Sequence, residues 1–251
     1  MYLKSPDGRT TVFFDVSGSV TGAFYDVTKY VATPMVVRVG DKLKVRSHSH
    51  ACFPYFGTPK PGGPFQSLDP HGFLRQQILE AQLLDPQTVQ FGFQGGEWGS
   101  PPRPWDYQGL LAIRALDRGL SYFVKIENYG ALAMPFMFAW HLYLCRQGLA
   151  VIGIDDEQIR VEGAYAKMHS APRSGIVTAN LHGIGTVNML LSGAFADPTS
   201  QVMVWTDWAQ APGGAGYVCC ESLTNHPDVP GLLPPGGEMW AQCVLQFVPL
   251  E

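Results

Sequence analysis

The feature that most constrains this chain is a two-residue hydrophobic alternation, repeatedly interrupted by glycine and proline. Leu120, Tyr122, Val124 and Ile126 alternate with Ser121, Lys125 and Glu127, behind the turn Asp117-Arg118-Gly119. A period of two places one set of side chains on each face of a strand, so this segment reads as a half-buried strand. Phe123 breaks the polar set, so both faces should be partly covered there. Val37, Val39, Leu43 and Val45 alternate with Arg38, Lys42, Lys44 and Arg46 around Gly40-Asp41, a hairpin signature with a primed-type turn. Val202–Trp205 and Gly216–Cys220 are short apolar runs of the length of buried strands, and Met239 to Val248 follows the turn Pro234-Pro235-Gly236-Gly237. The 28 glycines and 20 prolines suit many turns between short strands. The expectation is an all-β chain. Leu74 to Leu84 competes as a helix through its Leu, Gln and Glu content, but it has no cap and a mixed period, so it leans towards strand. Pro59–Pro64 and Gly95–Pro104 read as long loops of the kind that rim a binding site. Strand patterns resume after each, so residues 1–251 are expected to form one domain.

Composition narrows the function classes. A net charge of −4 with mixed signs and no basic block argues against nucleic acid as the main partner. The five cysteines are odd in number, include an adjacent pair, and contain no C-x-x-C. They read as reduced thiols of a cytoplasmic protein. No stretch approaches the roughly 18 apolar residues of a membrane helix, and no signal peptide is visible.

Three ionisable residues stand in distinctive frames: His71 in His71-Gly72-Phe73-Leu74-Arg75, His141 in an aromatic run from Pro135 to Tyr143, and Glu221 after Val218-Cys219-Cys220. Two imidazoles and a carboxylate suffice to add one proton and remove another near neutral pH. Desolvation should lower the pKa of His141 and raise that of Glu221. Taken singly, each has an equal structural reading: a loop histidine, a satisfied core histidine, a rim carboxylate in an ion pair. The H-x-H of His48 and His50 has strand spacing for a metal. No acidic residue follows before Asp69, so the ligand set is incomplete and no metal is expected. There is no G-x-S-x-G elbow, no thiolate-forming frame and no phosphate-cradling glycine loop.

Four segments, in order, resemble the aldose 1-epimerase (galactose mutarotase) superfamily, in particular its shorter members, which include hexose-6-phosphate mutarotases. They are Cys52-Phe53-Pro54-Tyr55-Phe56-Gly57 and His71-Gly72-Phe73-Leu74-Arg75. The third runs from Glu127-Asn128-Tyr129-Gly130 through Met134-Pro135-Phe136 to His141-Leu142-Tyr143-Leu144. The fourth is Cys220-Glu221-Ser222-Leu223-Thr224 with Leu233 to Glu238 behind it. Leu142 and Ser222 stand where the family has proline, Leu144 replaces a usual phenylalanine, and Leu74 an alanine.

The resemblance implies a large antiparallel β-sandwich with a groove over one sheet. It implies interconversion of the α and β anomers of a hexose or hexose phosphate, without metal or cofactor. Glu221 would be the base at the anomeric hydroxyl O1 and His141 the acid at the ring oxygen O5. His71 and Arg75 would orient the sugar, and Asn188 is the nearest counterpart of a sugar-holding aspartate. Trp205, with Trp98, Trp105 and Trp208, offers a stacking surface or simply core. Lys60 and Arg75 are candidates for a phosphate. The implied partner is a small sugar or sugar phosphate, with neither nucleic acid nor membrane, on a monomer or homodimer. A non-catalytic carbohydrate-binding protein on the same sandwich is the alternative, since fold alone does not fix function.

Overall fold

The computed structural model describes residues 1–39, 42–46, 48–99, 101–207 and 216–250, with the backbone alone for 37–39 and 42–46. Among these residues the regular secondary structure is almost entirely strand, most of it in two large antiparallel sheets. The first has ten strands, ordered Tyr2–Lys4, Thr10–Phe14, Val20–Tyr25, Thr28–Val31, Tyr143–Arg146, Gly216–Leu223, Ala139–His141 and His50–Cys52. Gln201–Thr206 also pairs with Gly216–Leu223 and carries Tyr165–Ser170 on its far side. The second has nine, ordered Glu157–Val161, Ala150–Ile154, Ile176–Leu181, Gly185–Gly193, Glu238–Pro249, Gly119–Asn128, Pro102–Leu116, Thr88–Gly99 and Glu80–Asp85.

The sheets share one apolar core running from Leu3 to Phe247. Two face-to-face ring pairs bridge it: Tyr30 on Phe247 with centroids 4.5 Å apart, and Tyr122 on Trp140, also at 4.5 Å. The alternation of Leu120, Tyr122, Val124 and Ile126 points into this core, all four fully buried. Phe123 lies half-buried on the opposite face against Trp240, so that face is partly covered as the sequence suggested. All five cysteines are free thiols. No helix among the described residues is long and apolar enough to cross a membrane.

The segment from Leu74 divides. Leu74–Gln76 is a single 3-10 turn, and Glu80–Asp85 is a strand at the sheet edge, exposed at every residue. An edge strand uncovered on both faces has no buried set to write a period of two, hence the ambiguous pattern. Met35–Val39 pairs with Lys42–Arg46 as the hairpin expected, while the Gly40-Asp41 turn lies outside the described residues.

Several motif residues serve the fold. Asn128 is fully buried. Its Nδ2 donates to the carbonyls of Leu132 (2.8 Å), Leu233 (2.8 Å) and Pro234 (3.2 Å), while Oδ1 accepts from the Gly130 N–H (2.9 Å). It thereby ties two of the recognisable segments together. Thr224 joins the same two segments at a second place: its Oγ1 accepts from the Phe138 N–H, and its own N–H donates to the Phe138 carbonyl.

Candidate active site

Three short elements of the ten-stranded sheet build the site. His141 stands opposite His50 in register, and Trp140 opposite Ser222. Because side chains alternate, Trp140, Leu142 and Cys220 face the core, while His141, Cys219 and Glu221 face the other side of the sheet. His141 Nε2 lies 3.5 Å from Glu221 Oε1. Both are sealed from solvent, with 5% and 1% of their surface exposed. His141 Nδ1 and Glu221 Oε2 are buried without a hydrogen-bond partner.

Burial therefore dominates the electrostatics. It holds the Glu221 carboxyl well above the ordinary carboxylate range. It also holds His141 well below the ordinary imidazole value, and the positive character of His50, His71 and Arg75 adds to that effect. Both shifts favour the uncharged forms, a carboxylic acid beside a neutral imidazole.

His71 reaches the same place from a turn only glycine can complete. His71 and Gly72 both have left-handed backbone, with φ of 68° and 70°. A Cβ on Gly72 would sit 2.2 Å from the Phe53 carbonyl oxygen. That oxygen accepts the N–H groups of Phe73 and Leu74, so the turn is fastened to the end of strand His50–Cys52. The His71 ring meets His141 edge-on at 5.1 Å and Phe56 at 5.1 Å. Its Nδ1 accepts from the Gly57 N–H at 3.4 Å, with Cys52 Sγ at 3.5 Å. A backbone N–H can only donate, so the neutral ring carries its proton on Nε2. Burial, with Arg75 nearby, pushes His71 down to about 4. Arg75 extends from the 3-10 turn, donating through Nη2 to the Pro70 carbonyl at 2.9 Å.

Of the residues singled out from sequence, Glu221, His141, His71, Arg75 and Trp205 converge here; the Trp205 ring is half-buried, edge-on to His141 at 6.3 Å. Asn188 does not. It sits on the nine-stranded sheet between the core residues Val187 and Met189, so its side chain points away from the core, where Oδ1 accepts from Thr178 Oγ1. Trp98 and Trp105 are core residues whose indole N–H groups donate to the carbonyls of Pro135 and Trp98. Trp208 lies outside the described residues. Lys60 is paired with Asp228 at 2.6 Å across two loops.

His50 was considered in the sequence only with His48 as a metal pair. The two rings part instead: His48 turns to Asp15 at 3.0 Å, while His50 stacks on His141 with centroids 4.8 Å apart. The period-two relation of His50 to Cys52, at the head of a recognisable segment, is the signal that places it on the site face. Tyr143, stacked on His141 at 4.7 Å, is a further residue the sequence did not single out for a role. The donor atoms of His141, Cys219 and Glu221 lie within 4.8 Å of one another. Ligands sharing one tetrahedral zinc are about 3.3–3.8 Å apart, given the usual bond lengths, so this set is too open as placed to close around an ion.

No protein-family model and no curated relative matches the chain. Solved structures do. A galactose mutarotase related enzyme from Lactobacillus acidophilus is 14% identical, with a TM-score of 0.70 over 99% of this chain and 97% of the other. A galactose mutarotase-like protein from Lactobacillus casei ATCC 334 is 13% identical, with a TM-score of 0.68 over 99% of each. A protein from Synechocystis sp. PCC 6803 is 14% identical, with a TM-score of 0.72 over 100% of this chain and 96% of the other. The chain has the galactose mutarotase-like β-sandwich fold.

Proposed function

We propose that this protein is an aldose 1-epimerase that interconverts the α and β anomers of a hexose or hexose phosphate. The observation that carries the reading is the buried His141–Glu221 pair, 3.5 Å apart, an imidazole and a carboxyl whose shifts in opposite directions both favour the uncharged forms. Opening a pyranose at C1 requires a proton to leave the O1 hydroxyl and a proton to reach the ring oxygen O5. Such a pair supplies one acceptor and one donor at once.

The roles implied by the family motifs make Glu221 the base and His141 the acid. In the empty site the proton rests on Glu221, so it must cross to His141 Nε2 as the sugar enters. The proton count of the pair is unchanged by that transfer. Glu221 then takes the O1 proton while His141 protonates O5, the C1–O5 bond breaks, and an open-chain aldehyde forms. Rotation about C1–C2 presents the other carbonyl face, and the reversed transfers close the ring. His71 Nε2–H and the Arg75 guanidinium are donors suited to sugar oxygens, and Trp205 offers a ring edge beside them. Holding these groups in place supplies the rest of the catalysis.

Polarimetry with freshly dissolved α-anomers of glucose, galactose and their 6-phosphates tests the reading. Acceleration of mutarotation with at least one sugar is expected. Binding of a sugar without acceleration would favour the non-catalytic carbohydrate-binding protein.

A further inference from the structure

We propose that His50 is a positioning residue of this site, fixing the Arg75 guanidinium through one ring nitrogen. The consequence for turnover rests on the epimerase reading; the geometry does not. His50 is 3% exposed and directly opposite His141 across the strand pair. Its Nδ1 lies 2.7 Å from the His48 carbonyl oxygen. A carbonyl only accepts, so Nδ1 carries the ring proton and Nε2 presents a lone pair. Arg75 Nη1 lies 3.4 Å from that lone pair and donates to it, while Nη2 donates to the Pro70 carbonyl.

Two neutral acceptors at different nitrogens set the orientation of the fork without neutralising it. Both of these partners are uncharged, so the guanidinium keeps its charge. A protonated His50 would turn an N–H towards the guanidinium and lose this contact. Burial, opposed only in part by the His48 carbonyl, keeps the ring neutral. The His50 ring also lies at 25° to that of His141, and the Tyr143 ring at 13° to it. Both nitrogens of His50 are committed, which leaves it no proton to exchange with a sugar. This separates its role from those of His141 and Glu221.

The test has two arms. Nitrogen NMR of the full-length protein at neutral pH should show His50 as the neutral Nδ1–H tautomer. Its Nε2 resonance should move towards that of a free lone pair in Arg75→Ala. An Nε2–H tautomer, an imidazolium, or an Nε2 signal indifferent to Arg75→Ala overturns the proposal. The second arm is kinetic. His50→Gln keeps an acceptor where Nε2 stood, whereas His50→Asn keeps only the donor at the Nδ1 position. His50→Asn should lower kcat/KM on the order of tenfold, the scale of a lost hydrogen bond to a charged group, and His50→Gln should recover most of it. In an Arg75→Ala background the effect of His50→Asn should shrink to within about twofold, because the two residues act as one unit. Equal losses in both backgrounds, or no difference between Gln and Asn, would also overturn it. If the wild-type protein turns over no sugar, the epimerase reading falls and the NMR arm still decides the role of His50.

Discussion

Glu221→Gln should make the protein more stable at neutral pH, by an amount that grows with pH. Glu221 is sealed in the sheet with one oxygen 3.5 Å from His141 and the other unpartnered, and burial raises its pKa well above 4.5. In the unfolded chain the same carboxyl ionises near its ordinary value. A group whose folded pKa is raised stabilises the fold fully below the unfolded pKa, and that contribution is lost as pH rises towards the folded pKa. Above about pH 4.5 the folded state holds a proton that the unfolded state has released, at about 1.4 kcal/mol per pH unit. From 4.5 to 7 this amounts to a ceiling of about 3 kcal/mol. Glutamine has the donor and acceptor of the protonated acid but cannot ionise, so it escapes the loss. Urea titrations at pH 4, 5, 6, 7 and 8 should give equal stabilities near pH 4 and a gap widening in favour of the glutamine variant. At roughly 2–4 °C per kcal/mol for a chain of this size, the shift in Tm at pH 7 has a ceiling of about 6–12 °C. A gap that does not change with pH, or one that narrows as pH rises, would refute the reasoning, because Glu221 would then not hold its proton.

The histidines predict the opposite limb. His50 and His71 are depressed to about 3 and about 4, and His141 well below its ordinary value. A depressed folded pKa gives stability that is present above about pH 6.5 and lost as pH falls through the folded value; thermal melts from pH 7 to 4 should steepen beyond what His71→Gln retains. Burial raises the pKa of Glu221 and lowers that of His141, so the kcat/KM profile should lack limbs at the ordinary carboxylate midpoint near 4.5 and imidazole midpoint near 6.5; clear midpoints at both ordinary values would contradict this. Gly72→Ala meets the Phe53 carbonyl at 2.2 Å with φ of 70°, and should cost several kcal/mol in chemical denaturation, roughly 3 or more. Asn128→Ala strips partners from three carbonyls, that of Leu233 buried, and one N–H; a loss of about 2–4 kcal/mol is expected by the same assay.

Strands with one buried face were legible because burial writes its own period. Leu120 to Ile126 is the clearest case, and Met239 to Val248 falls within the strand Glu238–Pro249. Glu80–Asp85 was not, because neither face is covered. Within the site, His71, Arg75, His141 and Glu221 could be picked out by their local frames, but nothing in one dimension says that His141 and Glu221 are neighbours; that follows from the pairing of Trp140 with Ser222. Asn188 was misleading for the same reason: its place along the chain says nothing about which sheet it joins or which way it points. His50 was obscured by His48, since an H-x-H suggests two rings on one face, whereas Asp15 draws the first ring away and Arg75 engages the second.

The central claim is that His141 and Glu221 move protons at an anomeric centre. Exchange NMR measures this directly, as the rate of magnetisation transfer between α- and β-anomer resonances of glucose, galactose and their 6-phosphates at equilibrium. The account predicts exchange accelerated by the wild-type protein for at least one sugar, and lost in Glu221→Gln while that sugar still binds. Exchange at the uncatalysed rate with every sugar, or undiminished acceleration by Glu221→Gln, would contradict it.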